Sequence, residues 1–284
     1  MTYLERLAAR TEAVGTVLCV GVDPDPAELP PGFPPDLGGV TRFAELLVDA
    51  AVPVAAAIKP NLAFFEAWGS AGLAALERLR ARIPPEVPVI LDAKRGDIAS
   101  TVARQAVALY DALGADAITV NPYVGSEGIA PLLDRVDRFA YVLCRTSNPG
   151  AAELQDLVVE AAADAPPEPL WARVARAAAG WGPGGTVGLV VGATVPAELA
   201  AARRIAPGLA FLVPGLGAQG GEVASVLADG RATAPPAGAG KGGGLVVNVS
   251  RGVARAASGA VTGDPGEALA EAAREWSARL PVLR

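Results

Sequence analysis

Val17-Leu18-Cys19-Val20-Gly21-Val22 is an apolar run that stops against the acid Asp23. It shows no apolar–polar alternation, so it reads as a strand buried on both faces, the kind found in parallel sheets. Seven further runs of this type come later, at Val54–Ile58, Val89–Leu91, Ala117–Val120, Ala140–Cys144, Val187–Val191, Leu209–Val213 and Leu245–Val249. Pro88 cannot donate to a central ladder, which makes the third run start late and leaves it the shortest. Helix-period stripes lie between the runs, such as Phe43, Leu46, Leu47 and Ala50, or Val102, Ala106, Leu109 and Leu113. The last stripe, Leu269, Ala272, Ala273, Trp276 and Leu280, opens with Asp264-Pro265-Gly266-Glu267, which supplies an N-cap, a proline at N1 and an acid at N3. Eight buried strands alternating with helices predict a (β/α)8 TIM barrel, with residues 1–284 as one α/β domain.

Composition narrows the function. The 284 residues are 51% apolar and 19% charged, enough to fill a large core and too apolar for disorder. A formal charge of −6 offers no general attraction to nucleic acid or to an acidic membrane surface. Histidine is absent, which removes Ser-His-Asp and Cys-His nucleophile systems and His-ligated metal sites together. Cys19 and Cys144 sit in apolar runs and read as reduced, buried thiols. The opening Met1-Thr2-Tyr3-Leu4-Glu5-Arg6 lacks the pattern of a signal peptide, and no apolar run approaches the ~18 residues of a membrane span. A soluble cytoplasmic protein is expected, with neither membrane nor nucleic acid as partner.

Lysine usage points to the chemistry. Of 24 basic residues only Lys59, Lys94 and Lys241 are lysines; the rest are arginines. A lysine kept against that bias suits work that guanidinium cannot do, such as donating a proton. Lys241, in Gly240-Lys241-Gly242-Gly243-Gly244, is expected instead at the opposite end of the barrel.

Barrel sites form at the C-terminal ends of strands. Those ends carry Asp23, Lys59, Asp92 with Lys94, Asn121, Ser147, Gln219 and Arg251. In Leu91-Asp92-Ala93-Lys94-Arg95-Gly96-Asp97-Ile98, a period of two sends Asp92 and Lys94 to the same side, into the barrel mouth, with Asp97 one turn later. Lys59 joins them from the neighbouring strand. Such an array could be a salt-bridge network closing the barrel end. Burying four charges costs several kcal/mol per ion before pairing, so a catalytic set is the better reading. Gly215-Leu216-Gly217-Ala218-Gln219-Gly220 fits GxGxxG, which would suit a doubly wound dinucleotide fold. It comes after the seventh strand, however, and no strand ending in an acid appears about 20 residues later. The Arg231–Gly244 loop stands there instead, so the glycines are expected to let backbone approach a phosphate.

Asp92-x-Lys94-x-x-Asp97-Ile98-x-x-Thr101 resembles the signature of the orotidine 5'-phosphate decarboxylase family. The likeness to its longer, bacterial-type branch extends to Val22-Asp23, Ile58-Lys59-Pro60-Asn61 with Phe64-Phe65-Glu66, and Thr119-Val120-Asn121-Pro122-Tyr123. It continues through Arg145-Thr146-Ser147-Asn148-Pro149-Gly150, Val213-Pro214-Gly215-Leu216-Gly217-Ala218-Gln219-Gly220-Gly221 and Asn248-Val249-Ser250-Arg251-Gly252. These blocks run from about residue 17 to 255 in the family's order. The DxKxxD pattern is shared with related sugar-phosphate barrels, whereas the SNPG and GxGAQGG segments are more specific.

The resemblance implies decarboxylation of orotidine 5'-monophosphate to UMP and CO2 without cofactor or metal. It makes Lys94 the proton donor to C6, with Asp92 beside the departing carboxylate and Lys59 orienting Asp92 and touching the ribose. Asp23 would bind a ribose hydroxyl. In a homodimer, Asp97, Ile98 and Thr101 would reach the neighbouring site. Ser147 would bond the pyrimidine edge, Gln219 would bridge base and phosphate, and Arg251 with Gly252 would hold the phosphate, beside Pro214. Two rivals stand against this. A metal-dependent sugar-phosphate enzyme needs an acid cluster at the strand-two end, where this chain has Lys59 and only Glu66 close by. A non-catalytic nucleotide sensor would not need the charged set. Asn121 is expected to cap its strand end or to line the site, Tyr123, Phe64 and Phe65 to pack at the rim, and Trp68, Trp171, Trp181 and Trp276 to lie in the outer layer.

Overall fold

The structure is a computed structural model, and it describes residues 1–160, 166–217, 221–259 and 263–283. Gln219 lies outside the described residues. The barrel strands are β1 (Leu18–Val22), β2 (Ala57–Pro60), β3 (Ile90–Arg95), β4 (Ala117–Val120), β5 (Phe139–Arg145), β6 (Val187–Val191), β7 (Ala210–Pro214) and β8 (Leu245–Val249). They pair in parallel in the order β2-β1-β8-β7-β6-β5-β4-β3. Isolated parallel bridges, Ile58 to Val89 and Asn61 to Asp92, join β2 to β3 and close the ring. This is the predicted (β/α)8 barrel.

Three predicted strands match in full, three differ by one residue at one or both ends, and β2 and β3 differ further for local reasons. β2 begins three residues late because Val54 and Ala55 still donate to the Ala51 carbonyl and belong to the turn leaving the preceding helix. β3 runs on to Arg95 through polar residues, beyond the apolar stretch that marked it in the sequence.

Alternation along the strands divides the core in two. Cys19, Ala57, Ile90, Ala117, Tyr141, Val190, Leu212 and Val246 fill the barrel, while the opposite faces pack beneath the helices. The N-terminal helix Tyr3–Val14 closes the bottom of the barrel. A Thr2–Glu5 capping box starts this helix and Gly15, at φ 70°, ends it. Its Tyr3 ring stacks on Phe139 at 4.8 Å and its hydroxyl meets that of Tyr141 at 3.0 Å. Arg6 reaches the buried Asp116 at 2.6 Å. Lys241 lies in the turn against this helix, at the end away from the β-strand C-termini, as expected.

The C-terminal helix Pro265–Arg279 is capped by Asp264, which accepts from Gly266 N at 2.7 Å. Its Trp276 donates to the Gly252 carbonyl at 3.1 Å and so supports the loop leaving β8. Trp171 and Trp276 are buried in the outer layer, and Trp68 and Trp181 are partly so. Cys19 and Cys144 are free and buried, and burial pushes both thiols up to about 12, where they stay protonated and inert. No described helix is long and apolar enough to cross a membrane.

Candidate active site

A cavity of about 440 Å³ opens at the C-terminal ends of the strands. Asp92 is its hub. Lys59 Nζ lies 2.7 Å from one carboxylate oxygen, and Lys94 Nζ lies 2.5 Å from the other. Thr119 donates its hydroxyl to that second oxygen at 2.9 Å. Burial works against the charge on Asp92, but Lys59 and Lys94 outweigh it and hold the carboxyl well below the usual carboxylate range. Burial likewise opposes the charge on Lys59, and Asp92 with Asp23 reverses this and raises its pKa. The two lysines differ in access. The Lys59 side chain is 4% exposed and sealed, whereas that of Lys94 is 50% exposed and opens to the cavity.

The predicted period-two extension does not hold between Asp92 and Lys94. Leu91 pairs with Ile118 and Arg95 with Val120, so β3 bulges in between, and Lys94 adopts φ 49°. The side chains still meet, because the bulge turns Lys94 back toward Asp92.

The remaining strand ends complete the wall. Asp23 lines the cavity, and its Oδ1 is buried without a hydrogen-bond partner among the described residues; such an acceptor suits a ligand hydroxyl. At the end of β5, Arg145 grips Asp156 through two contacts at 2.8 and 3.0 Å and donates to the Thr146 carbonyl at 2.6 Å. Gln155 accepts from Thr146 N at 2.8 Å, which fixes the segment that presents Ser147 to the cavity. Pro214 and Gly215 at the end of β7, and Asn248 of β8 with Ser250 and Arg251 just after it, line the far side. Gly215 takes φ 106°, a conformation that favours glycine and lets its backbone face the cavity.

Four of the sequence-predicted residues lie away from this cavity. Asp97 accepts from Ile98 N at 2.7 Å, Ile98 is 66% exposed and Thr101 is exposed, so all three face outward in the single chain. Gly252 is a packing position, since a Cβ there would sit 2.8 Å from Val249 and 3.1 Å from the Trp276 indole nitrogen. Asn121 caps its strand end by accepting from Tyr123 N at 3.1 Å. Tyr123 itself is 82% exposed: the turn Pro122–Val124 carries it off the rim, while Phe65 is fully buried and Phe64 partly so.

Sequence reasoning assigned no role to Thr119, Gln155, Asn248 or Ser250. Thr119 had one usable signal, because it lies two residues after the inward-facing Ala117. Glu66, the acid nearest the strand-two end, is paired with Arg95. Among the described residues no group of three or more acids and cysteines could hold a metal ion.

Comparison with known proteins agrees with this geometry. The sequence model of the orotidine 5'-phosphate decarboxylase / HUMPS family matches residues 16–264. A protein named orotidine 5'-phosphate decarboxylase from Thermomicrobium roseum is 44% identical, over 99% of this chain and 96% of its own length. The structure of Leishmania donovani OMP decarboxylase superposes with a TM-score of 0.78 at 38% identity, covering 98% of this chain and 99% of that one. Leishmania donovani UMP synthase gives a TM-score of 0.81 at 40% identity, and this chain spans 56% of its length. A match across nearly the whole barrel, with relatives of this identity along their full length, means that the chain belongs to the orotidine 5'-phosphate decarboxylase / HUMPS family.

Proposed function

We propose that this enzyme decarboxylates orotidine 5'-monophosphate to UMP and CO2, the closing step of pyrimidine nucleotide synthesis, with no cofactor. The observation that carries the reading is the Asp92 carboxylate held between two ammonium groups, one sealed and one open to the cavity. Loss of CO2 from C6 breaks a C–C bond and leaves its electron pair on an sp² carbon with no carbonyl or imine to delocalise it. The Lys94 ammonium stabilises that charge and then gives C6 its proton, and a proton from solvent turns the resulting amine back into the ammonium. Arginine would keep the charge without donating readily. Asp92 sits beside the departing carboxylate and holds Lys94 in place.

The other roles rest on chemistry and position. Asp23 accepts a ribose hydroxyl, and Lys59 orients Asp92 and touches the ribose. Ser147 and Gln219 read the pyrimidine, with Gln219 reaching the phosphate. Arg251 binds the phosphate next to Pro214 and Gly215. Phosphate binding is remote from C6, so its energy can close the site and oppose unfavourable contacts at the carboxylate. Asp97, Ile98 and Thr101 face outward and complete the neighbouring site in a homodimer. Residues 1–284 work as one domain in the cytoplasm.

The family also takes in sugar-phosphate enzymes, and the strand-two end argues against that reading here. Lys59 occupies the position where a divalent cation would need acids, and Glu66 is engaged by Arg95. The deciding experiment adds purified protein to orotidine 5'-monophosphate in EDTA and tracks the orotate absorbance. Its decay at an undiminished rate is expected; no decay with or without added Mg²⁺ would overturn the proposal.

A further inference from the structure

Two consecutive backbone groups, Ala93 N–H and Lys94 N–H, both donate to the Thr119 hydroxyl oxygen, each at 3.0 Å. In a regular strand successive N–H groups point to opposite edges, so their convergence on one atom marks the bulge in β3. Four steps along β3, Leu91 to Arg95, face two along β4, Ile118 to Val120. Lys94 lies within this bulge, and among the described residues it is the one non-glycine with positive φ. The hydroxyl proton goes to Asp92 Oδ1 at 2.9 Å, the oxygen that also meets Lys94 Nζ. Thr119 is 2% exposed, and its hydroxyl is saturated with one bond given and two accepted.

We propose that Thr119 is a positioning residue for Lys94. A single oxygen fixes the Lys94 backbone in its left-handed conformation and turns Asp92 toward the ammonium, so both ends of the Lys94–Asp92 pair are set from β4. Valine has the same shape and can make none of the three bonds. The register explains why threonine serves here: β4 has no bulge of its own and must meet the displaced β3 amides with a short side chain.

The kinetic arm of the test rests on the decarboxylase reading, and the spectroscopic arm does not. With only three lysines in the chain, 13C-lysine labelling gives three Cε–Hε signals that Lys→Arg variants can assign. In Thr119→Val the Lys94 signal should shift while that of Lys241 stays in place. Turnover should fall about thirtyfold with KM and UMP affinity within about threefold, and Thr119→Ser should restore kcat to within about threefold of the parent. Should valine prevent folding, Thr119→Ala and Thr119→Ser form the decisive pair, since both lose the methyl and only alanine loses the hydroxyl. An unmoved Lys94 signal, or equal kcat for that pair, overturns the proposal. If the parent fails to turn over orotidine 5'-monophosphate, the decarboxylase reading falls and the lysine signal alone decides the role of Thr119.

Discussion

Lys59 Nζ lies 2.7 Å from Asp92 Oδ2, across the seam at which β2 and β3 close the barrel. Among the described residues only isolated bridges join the backbones there, so the ion pair fastens the barrel as well as ordering the site. Asp92 has its pKa lowered and Lys59 has its pKa raised, each by the partner's charge prevailing over burial. The Asp92 contribution to stability is therefore present above the ordinary carboxylate pKa and is lost as pH falls through the lowered one; that of Lys59 is present below the ordinary lysine pKa.

Asp92→Asn leaves Lys59 buried without its partner and should cost about 3 kcal/mol at pH 7. Measured by urea denaturation, the gap to the parent should hold between about pH 5 and 8 and narrow below about pH 4, where the unfolded Asp92 protonates first. A gap that stays constant down to about pH 3 would contradict an Asp92 held ionised by its two lysines.

Lys94→Arg preserves the charge beside Asp92 and should nearly abolish turnover in a folded protein, because both ready proton donation and the short reach of the amine are lost. Steady-state assay of the purified variant decides this. Activity within about tenfold of the parent, ~1.4 kcal/mol in barrier, would rule out Lys94 as the acid.

Arg251 stands three strands round the ring from Lys94, beside the glycine-bearing end of β7. Arg251→Ala should raise KM strongly for orotidine 5'-monophosphate and leave turnover of the phosphate-free nucleoside almost unchanged. Equal damage to both substrates would assign Arg251 some task other than phosphate binding.

Burial governs how much the sequence made legible. Strands covered on both faces appear as continuous apolar runs, so all eight barrel strands could be read, and Asp23, Lys59, Asp92 with Lys94, Ser147 and Arg251 at or just past the ends of five of them marked the site. The start of β2 was obscured because Val52, Pro53 and Val54 are as apolar in a turn as in a strand. The extent of β3 was obscured for the opposite reason, since Asp92 to Arg95 are strand residues that look like a loop. Thr119 depends on a register shift between two strands, and Gln155 on an excursion that folds back to Thr146; neither relationship has a local pattern. Spacing placed Asp97 in the barrel mouth as the fourth charge and family likeness added Ile98 and Thr101; in one chain all three lie outside the cavity, which makes the second subunit the point to test.

If Asp97 serves the neighbour's site, each active site combines Lys94 of one subunit with Asp97 of the other. Lys94→Ala and Asp97→Ala homodimers should then both be nearly inactive. In a mixed dimer, two-fold symmetry places both defects in one site and none in the other. Dimers carrying one subunit of each kind, isolated through two different affinity tags, should recover about half the parent activity per dimer. An Asp97 that served its own barrel would leave one defect in every site of the mixed dimer, and nothing would be regained. The assay of the doubly tagged fraction therefore separates the two arrangements, and a fraction as inactive as either homodimer would end the shared-site proposal.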